Sequence, residues 1–224
     1  MVRLGALGAL VLGFALAQAG LPQAAASAAE RPAVRQASLE TERASADTVR
    51  LAAWVLATGD NQGLPFLIVD KPGARVFAFD AAGRLMATAA VLLGTQPGDD
   101  LIPGLPDRPL ARIAPGERIT PAGRFKASPG TNLSGKSILW IDYGASLSLH
   151  PVVTGVPAER RQHRLASATA LDNRISFGCI NVPAGFYETA IREAFAIHGG
   201  MVYILPESRT LEAVFGMPAV RSIL

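Results

Sequence analysis

The chain has 224 residues, 50% of them hydrophobic, with 21 Lys and Arg against 18 Asp and Glu and a formal charge of +3. So small an excess argues against general nucleic-acid binding. The single cysteine, Cys179, excludes an internal disulfide and leaves a buried inert thiol, an intermolecular link or a reactive group.

At the N-terminus Arg3 is followed by the apolar stretch "LGALGALVLGFALA" and by small residues in "AQAG" and "AAASAAE", the pattern of a secretory leader. Cleavage fits after Ala19 or Ala28. Ala28 is preferred, so residues 1–28 read as a signal peptide and the rest as exported to the periplasm or cell envelope. The apolar run of about fourteen residues falls short of the roughly 18 to 20 of a spanning helix, and no later run reaches that length. No cysteine stands nearby to take a lipid. A soluble mature chain without stable membrane insertion is expected, long enough for one domain with a real core.

Residues 29–63 read as a linker and a short helix, in which Val49, Ala52, Ala53 and Leu56 recur at helical spacing and Gly59 supplies a stop. The period then changes to that of strands. "PFLIVD", "RVFAFD" and "LMATAAVLLG", separated by the turn signals "KPGA" and "AAG", predict an antiparallel meander. Residues 95–121 hold six prolines, and so long a loop is expected to form the wall or lid of a cleft. Strands resume in "GRFKA", "SILWIDYG" and "SLSLH", ending at His150. A polar segment over 151–175 carries Arg160, Arg161, Arg164 and Arg174, and "ISFGCINV" is expected to be one further strand. Pro183 opens a predicted helix to about Ile197, with Phe186, Ala190, Ala194 and Ile197 on one face and Gly199 as cap. "MVYILP" is the last strand, and residues 207–224 form a tail. No internal repeat is present.

Gly130 to Ser137, "GTNLSGKS", spells a phosphate-binding loop letter for letter. Such a loop needs a helix after it, whose amides hold the phosphates. Here "ILWIDYG" follows, a strand by composition, so a polar hairpin and no nucleotide are expected.

Cys179 reads either as a small buried hydrophobe or as a nucleophile. Gly178 beside it lets a substrate backbone approach, and Ser176 adds a hydroxyl two residues away. A free thiol titrates near 8.5, so nucleophilicity requires a base. His198 is explained by the end of the predicted helix, and His163 lies in the basic run "ERRQHRLAS". His150 ends an apolar strand, where a scaffold presents a side chain to a cleft, and is preferred as base. Three scattered histidines and one cysteine make no zinc spacing, so neither metal nor cofactor is expected.

The run "ISFGCIN", preceded by a strand ending in His150, resembles the signature of L,D-transpeptidases of the YkuD type. "FLIVDKPGARVFAFDAAGRLMATAAVLLG" is similar to that family's opening strands and "ERITPAGRF" to its TPxGxF segment, so that the resemblance covers residues 64–206. Two departures stand out: Phe177 replaces the usual His, and His150 and Ser176 are unusually far apart, the excess falling in the Arg-rich segment. In a regular strand Phe177 would face away from Cys179.

The resemblance implies a mainly β fold with a few helices, an L,D-transpeptidase-like β-sandwich with one helix after the cysteine strand. It also implies an exported enzyme that cross-links peptidoglycan tetrapeptide stems through a Cys179 thioester, with His150 as base and loss of D-alanine. Gly178 and Cys179 amides would hold the oxyanion, Asn181 would bond the loop or substrate, and Arg174 would meet a stem carboxylate, as could the cluster of Arg160, Arg161 and Arg164 if it is more than a solvated loop. The orienting acceptor for the imidazole is expected to be a backbone carbonyl. The alternatives are a carboxypeptidase on the same stems and a non-catalytic wall-binding module.

Overall fold

The computed structural model describes Leu39, residues 42–105 and residues 107–219. The expected leader over 1–28 and the linker up to residue 38 lie outside them. Helix α1 (Ala46–Thr58) starts where Ser45 accepts a hydrogen bond from the Thr48 amide and stops where Gly59 turns left-handed, satisfying end groups that have no partner within the helix. Strands β1 (Phe66–Asp70), β2 (Arg75–Phe79) and β3 (Leu85–Ala90) form the expected antiparallel meander. The two-residue β4 (Leu93–Gly94) and a long loop follow, then β5 (Gly123–Thr131), β6 (Ser137–Asp142) and β7 (Leu147–Pro151). Helix α2 (Arg161–Leu165), β8 (Arg174–Ser176) and β9 (Ile180–Val182) come next. Helix α3 (Ala184–Phe186) widens into a π-helix over Tyr187–Arg192, and β10 (Gly200–Ile204) and α4 (Leu211–Phe215) complete the chain.

The runs of β1, β2 and β10 are apolar throughout because both of their faces are covered. Leu67, Val69, Val76, Ala78, Val202 and Ile204 join one core, while Phe66, Ile68, Phe77, Phe79, Met201 and Tyr203 join another, as side chains alternating along a strand must. The second core is covered by Leu51 and Val55 of α1 and by Leu211 and Phe215 of α4. Within it Phe66 stacks on Phe79 with ring centroids 4.5 Å apart, and full burial of each such ring contributes about 1.5–3 kcal/mol.

Eight strands form one sheet in the order β3-β2-β1-β10-β5-β6-β7-β9. The last strand of the chain thus lies in the middle, parallel to β1 and antiparallel to β5. Residues Gly123 to Ala127 of β5 pair with β10, and Ser128 to Thr131 pair with β6. Because one strand belongs to both halves, the sheet curls instead of separating into two layers. Its ends meet where Asn181 of β9 and Leu92 exchange two backbone hydrogen bonds of 2.8 and 2.9 Å. The expectation of a mainly β domain with few helices holds, but the sheet is a nearly closed barrel rather than the expected sandwich.

The helix after β9 also differs from expectation. Phe186 and Ala190 are buried, but Ile197 is 84% exposed, and Tyr187, Ile191 and Phe195 fill the core instead. The wider π turn shifts which residues face inward. Gly199 ends the segment with φ 65° and donates its N–H to the Phe195 carbonyl. The "GTNLSGKS" run is the hairpin between β5 and β6, in which the Asn132 side-chain oxygen accepts from the Ser134 and Lys136 amides. A strand follows it, so no helix terminus is offered to a phosphate. Among the described residues no helix is long and apolar enough to cross a membrane.

Candidate active site

"ISFGCINV" is not one strand. The chain bends between β8 and β9 at Phe177 and Gly178, where Gly178 takes φ 130° and a Cβ would sit 2.7 Å from the Ile119 carbonyl oxygen. Buried Ser176 secures the bend: its Oγ accepts from the Gly178 amide at 3.0 Å and donates to the Cys179 carbonyl at 2.6 Å. From the other side the Thr120 hydroxyl donates to the Gly178 carbonyl at 2.8 Å and accepts from the Gly94 amide at 2.9 Å. Gly178→Ala is therefore expected to cost about 1–3 kcal/mol in strained backbone, read as a lower urea midpoint together with slower alkylation of a displaced Cys179.

Strands β7 and β9 run parallel, with Leu149 opposite Ile180 and His150 opposite Asn181. Leu147, Leu149, Ile180 and Val182 point into the core, so Ser148, His150, Cys179 and Asn181 share the opposite face. There the Ser148 hydroxyl donates to Cys179 Sγ at 3.5 Å, and Sγ lies 3.5 Å from the Ser146 carbonyl. His150 Nδ1 is 2.8 Å from the Pro151 carbonyl. A carbonyl only accepts, so Nδ1 carries the proton and Nε2 is the basic nitrogen of the neutral ring. Asn181 Nδ2 lies 3.3 Å from that nitrogen and 3.5 Å from the Cys179 carbonyl. His163 on α2 and His198 after α3 are both exposed.

Burial opposes a charge on Cys179, but hydrogen bonding to His150 and then to Ser148 outweighs it and holds the thiol below its ordinary value. Burial likewise opposes protonation of His150, and hydrogen bonding to Cys179 and to the Pro151 carbonyl overcomes it, placing the imidazole above its ordinary value while Arg161 pulls it down. The two shifts favour a thiolate beside an imidazolium, a coupled pair that titrates as one system. The rate of Cys179 alkylation by iodoacetamide is expected to rise with a midpoint below about 8.5, the free-thiol value. In His150→Ala the opposition from burial is left without its main counterweight, and the midpoint should move up to that value or above.

Leu101, Ile102, Leu105 and Leu110 of the Pro-rich loop line, as expected, a cleft of about 300 Å³ that Cys179 also lines. Phe177 lines the same cleft, beneath the Arg118 guanidinium 4.2 Å from its ring centroid. It does not face away from Cys179, because the bend at Gly178 breaks the strand alternation. Arg174 is not free to meet a substrate carboxylate either: it is paired with Glu207, donates to the Lys71 carbonyl and is mostly buried. Of the arginine cluster, Arg164 is bonded to the Glu159 and Asp172 carbonyls and Arg161 to Glu159 and Asn181. The Gly178 amide, expected at an oxyanion, is occupied by Ser176.

Ser148 and Thr120 lie in runs singled out in the sequence, "SLSLH" and "ERITPAGRF", which assign neither of them a role. Ser148 was findable, since "SLSLH" puts it two residues before His150 and hence on the same strand face. The role of Thr120 was not readable in "ERITPAGRF", because its bonds to Gly94 and Gly178 join segments 26 and 58 residues away. Among the described residues no group of three or more His, Cys, Asp or Glu is placed to hold a metal ion.

No family model matches the chain, and no curated protein does. A solved structure is similar to it, the catalytic domain of an L,D-transpeptidase from E. faecium determined by NMR. The two are 18% identical, the match covers 63% of this chain and 96% of that one, and the TM-score is 0.32.

Proposed function

We propose that this chain is an exported cysteine L,D-transpeptidase acting on peptidoglycan tetrapeptide stems. The observation that carries the reading is that Cys179 and His150 share one face of the paired strands β7 and β9, with the imidazole Nδ1 fixed by the Pro151 carbonyl. This is a nucleophile, a base and an orienting acceptor in series. As thiolate, Cys179 Sγ attacks the carbonyl carbon of the third, diamino acid residue of a stem, forming a C–S bond. The oxyanion faces the Cys179 amide, since that of Gly178 is taken. Collapse breaks the C–N bond, and the His150 imidazolium gives its proton to the departing D-alanine amine. The side-chain amine of a second stem then attacks the thioester, neutral His150 takes its proton, and thiolate leaves. Water in place of the amine yields a tripeptide by the same acyl-enzyme.

A non-catalytic wall-binding module is the second reading, favoured by one observation: Phe177, covered by Arg118, stands where the resembled signature carries a His. Products formed from purified disaccharide-tetrapeptides, read by mass spectrometry with Cys179→Ala as control, decide between them. A cross-linked dimer lacking one D-alanine, absent with the variant, is expected. Tripeptide alone would make the chain a carboxypeptidase, and no Cys179-dependent product would leave the binding module.

A further inference from the structure

Arg161 lies on α2, inside the polar segment that separates β7 from β8, with a side chain only 13% exposed. Its guanidinium spans two partners: Nε donates to Glu159 Oε2 at 2.6 Å and Nη1 to Asn181 Oδ1 at 2.5 Å. That second bond decides which way the Asn181 amide points. With the oxygen held by a cation, the amide nitrogen is turned toward His150 Nε2, 3.3 Å away. An NH₂ group can donate to the lone pair of a neutral imidazole, but it meets the N–H of an imidazolium as donor against donor. The clamp is therefore satisfied in one protonation state of His150 and frustrated in the other.

We propose that Arg161 is a positioning residue for the base: by fixing the Asn181 amide it biases His150 toward the neutral, proton-accepting imidazole. The proposal rests on the reading of Cys179 and His150 as nucleophile and base. Its consequence falls on the second half-reaction, in which a protonated ring cannot take the proton of the attacking amine. Four charged or titratable groups lie around His150. Cys179, at the head of β9, favours imidazolium as a thiolate, and Arg161 disfavours it. Lys136, on the β5–β6 hairpin, lines the same pocket as His150. Glu159 is tied up by Arg161 itself. Without Arg161, the Asn181 amide is free to turn its oxygen to Nε2–H, and a neighbouring positive charge is also gone, so both effects act in the same direction.

The test follows the ¹H–¹³C signal of His150, assigned by its loss in His150→Ala, across a pH titration of the mature chain. Arg161→Met is expected to raise the proton affinity of His150 by about three- to tenfold, and Arg161→Lys, which keeps the charge but not the fork, by less. Arg160→Met, which removes a charge from the same region without touching Asn181, is expected to leave it within twofold. In an Asn181→Ala background, Arg161→Met should add less than twofold. An unchanged His150 titration in Arg161→Met, or an equal rise in Arg160→Met, overturns the proposal. Should Arg161→Met fail to fold, Arg161→Lys carries the same comparison. The underlying reading fails separately: Cys179 alkylation by iodoacetamide would then show the same pH dependence with and without His150.

Discussion

His150→Ala is expected to slow Cys179-dependent acyl transfer by about 10²- to 10⁴-fold, the usual worth of a positioned proton-transfer group, while His163→Ala leaves the rate unchanged. The reason is register. His150 stands opposite Asn181 on paired strands, with Nδ1 on the Pro151 carbonyl and the Cys179 thiol beside the ring, whereas His163 is an exposed residue of α2. Steady-state rates with purified disaccharide-tetrapeptides measure it. Full activity in His150→Ala together with loss in His163→Ala would reverse the assignment of the base. Full activity in both would mean that the thiol needs no histidine.

Asp99→Ala is expected to be the most destabilising single change outside the two cores. Lys71 is fully buried, and its ammonium donates to Asp99 Oδ1 and to the Thr120 carbonyl, both at 2.9 Å, and to the Gly98 carbonyl. Asp99 in turn accepts from the amides of Glu207, Ser208 and Arg209 at 2.8 to 2.9 Å. Burial alone would raise this carboxyl, but the bonds from Lys71, Ser208 and Glu207 hold it far below the ordinary carboxylate range. Removing Asp99 leaves the buried ammonium with Glu207, 3.6 Å away, as its remaining counter-charge, at a cost of about 3–5 kcal/mol, a fall of roughly 10 °C in Tm for a domain of this size. Calorimetry at pH 7 measures it, and a shift under about 2 °C would show that the network contributes little. Because the folded carboxyl is the stronger acid, its contribution is complete above the unfolded value of about 3.9 and is lost as pH falls below it. The difference between wild type and Asp99→Ala should therefore shrink steadily in acid. The same change frees the start of the Pro-rich loop, so the cleft wall formed by Leu101 and Ile102 is expected to loosen with it.

What the sequence determined by itself is local. The apolar, β-branched and aromatic runs of β1 and β2, the stop at Gly59 and the cap at Gly199 follow from residue type and from glycine's access to positive φ. Cys179 and His150 were legible as candidates because the chain offers one thiol, and of its three histidines only His150 ends an apolar strand. Tertiary structure decided everything that depends on which segments become neighbours. It placed β10 between β1 and β5, bent the sheet at β5 until β9 met Leu92, and so made a nearly closed barrel of what reads as a sandwich. It broke the cysteine strand at Gly178, where Thr120 arrives from 58 residues away, and so turned Phe177 into the same cleft as Cys179. Two arginines read as possible substrate contacts were also settled by their neighbours, Arg174 by Glu207 and Arg161 by Glu159 and Asn181. A charged side chain announces itself in sequence, but its role is set by the first opposite charge or carbonyl that folding brings within reach, and sequence spacing carries no record of that distance.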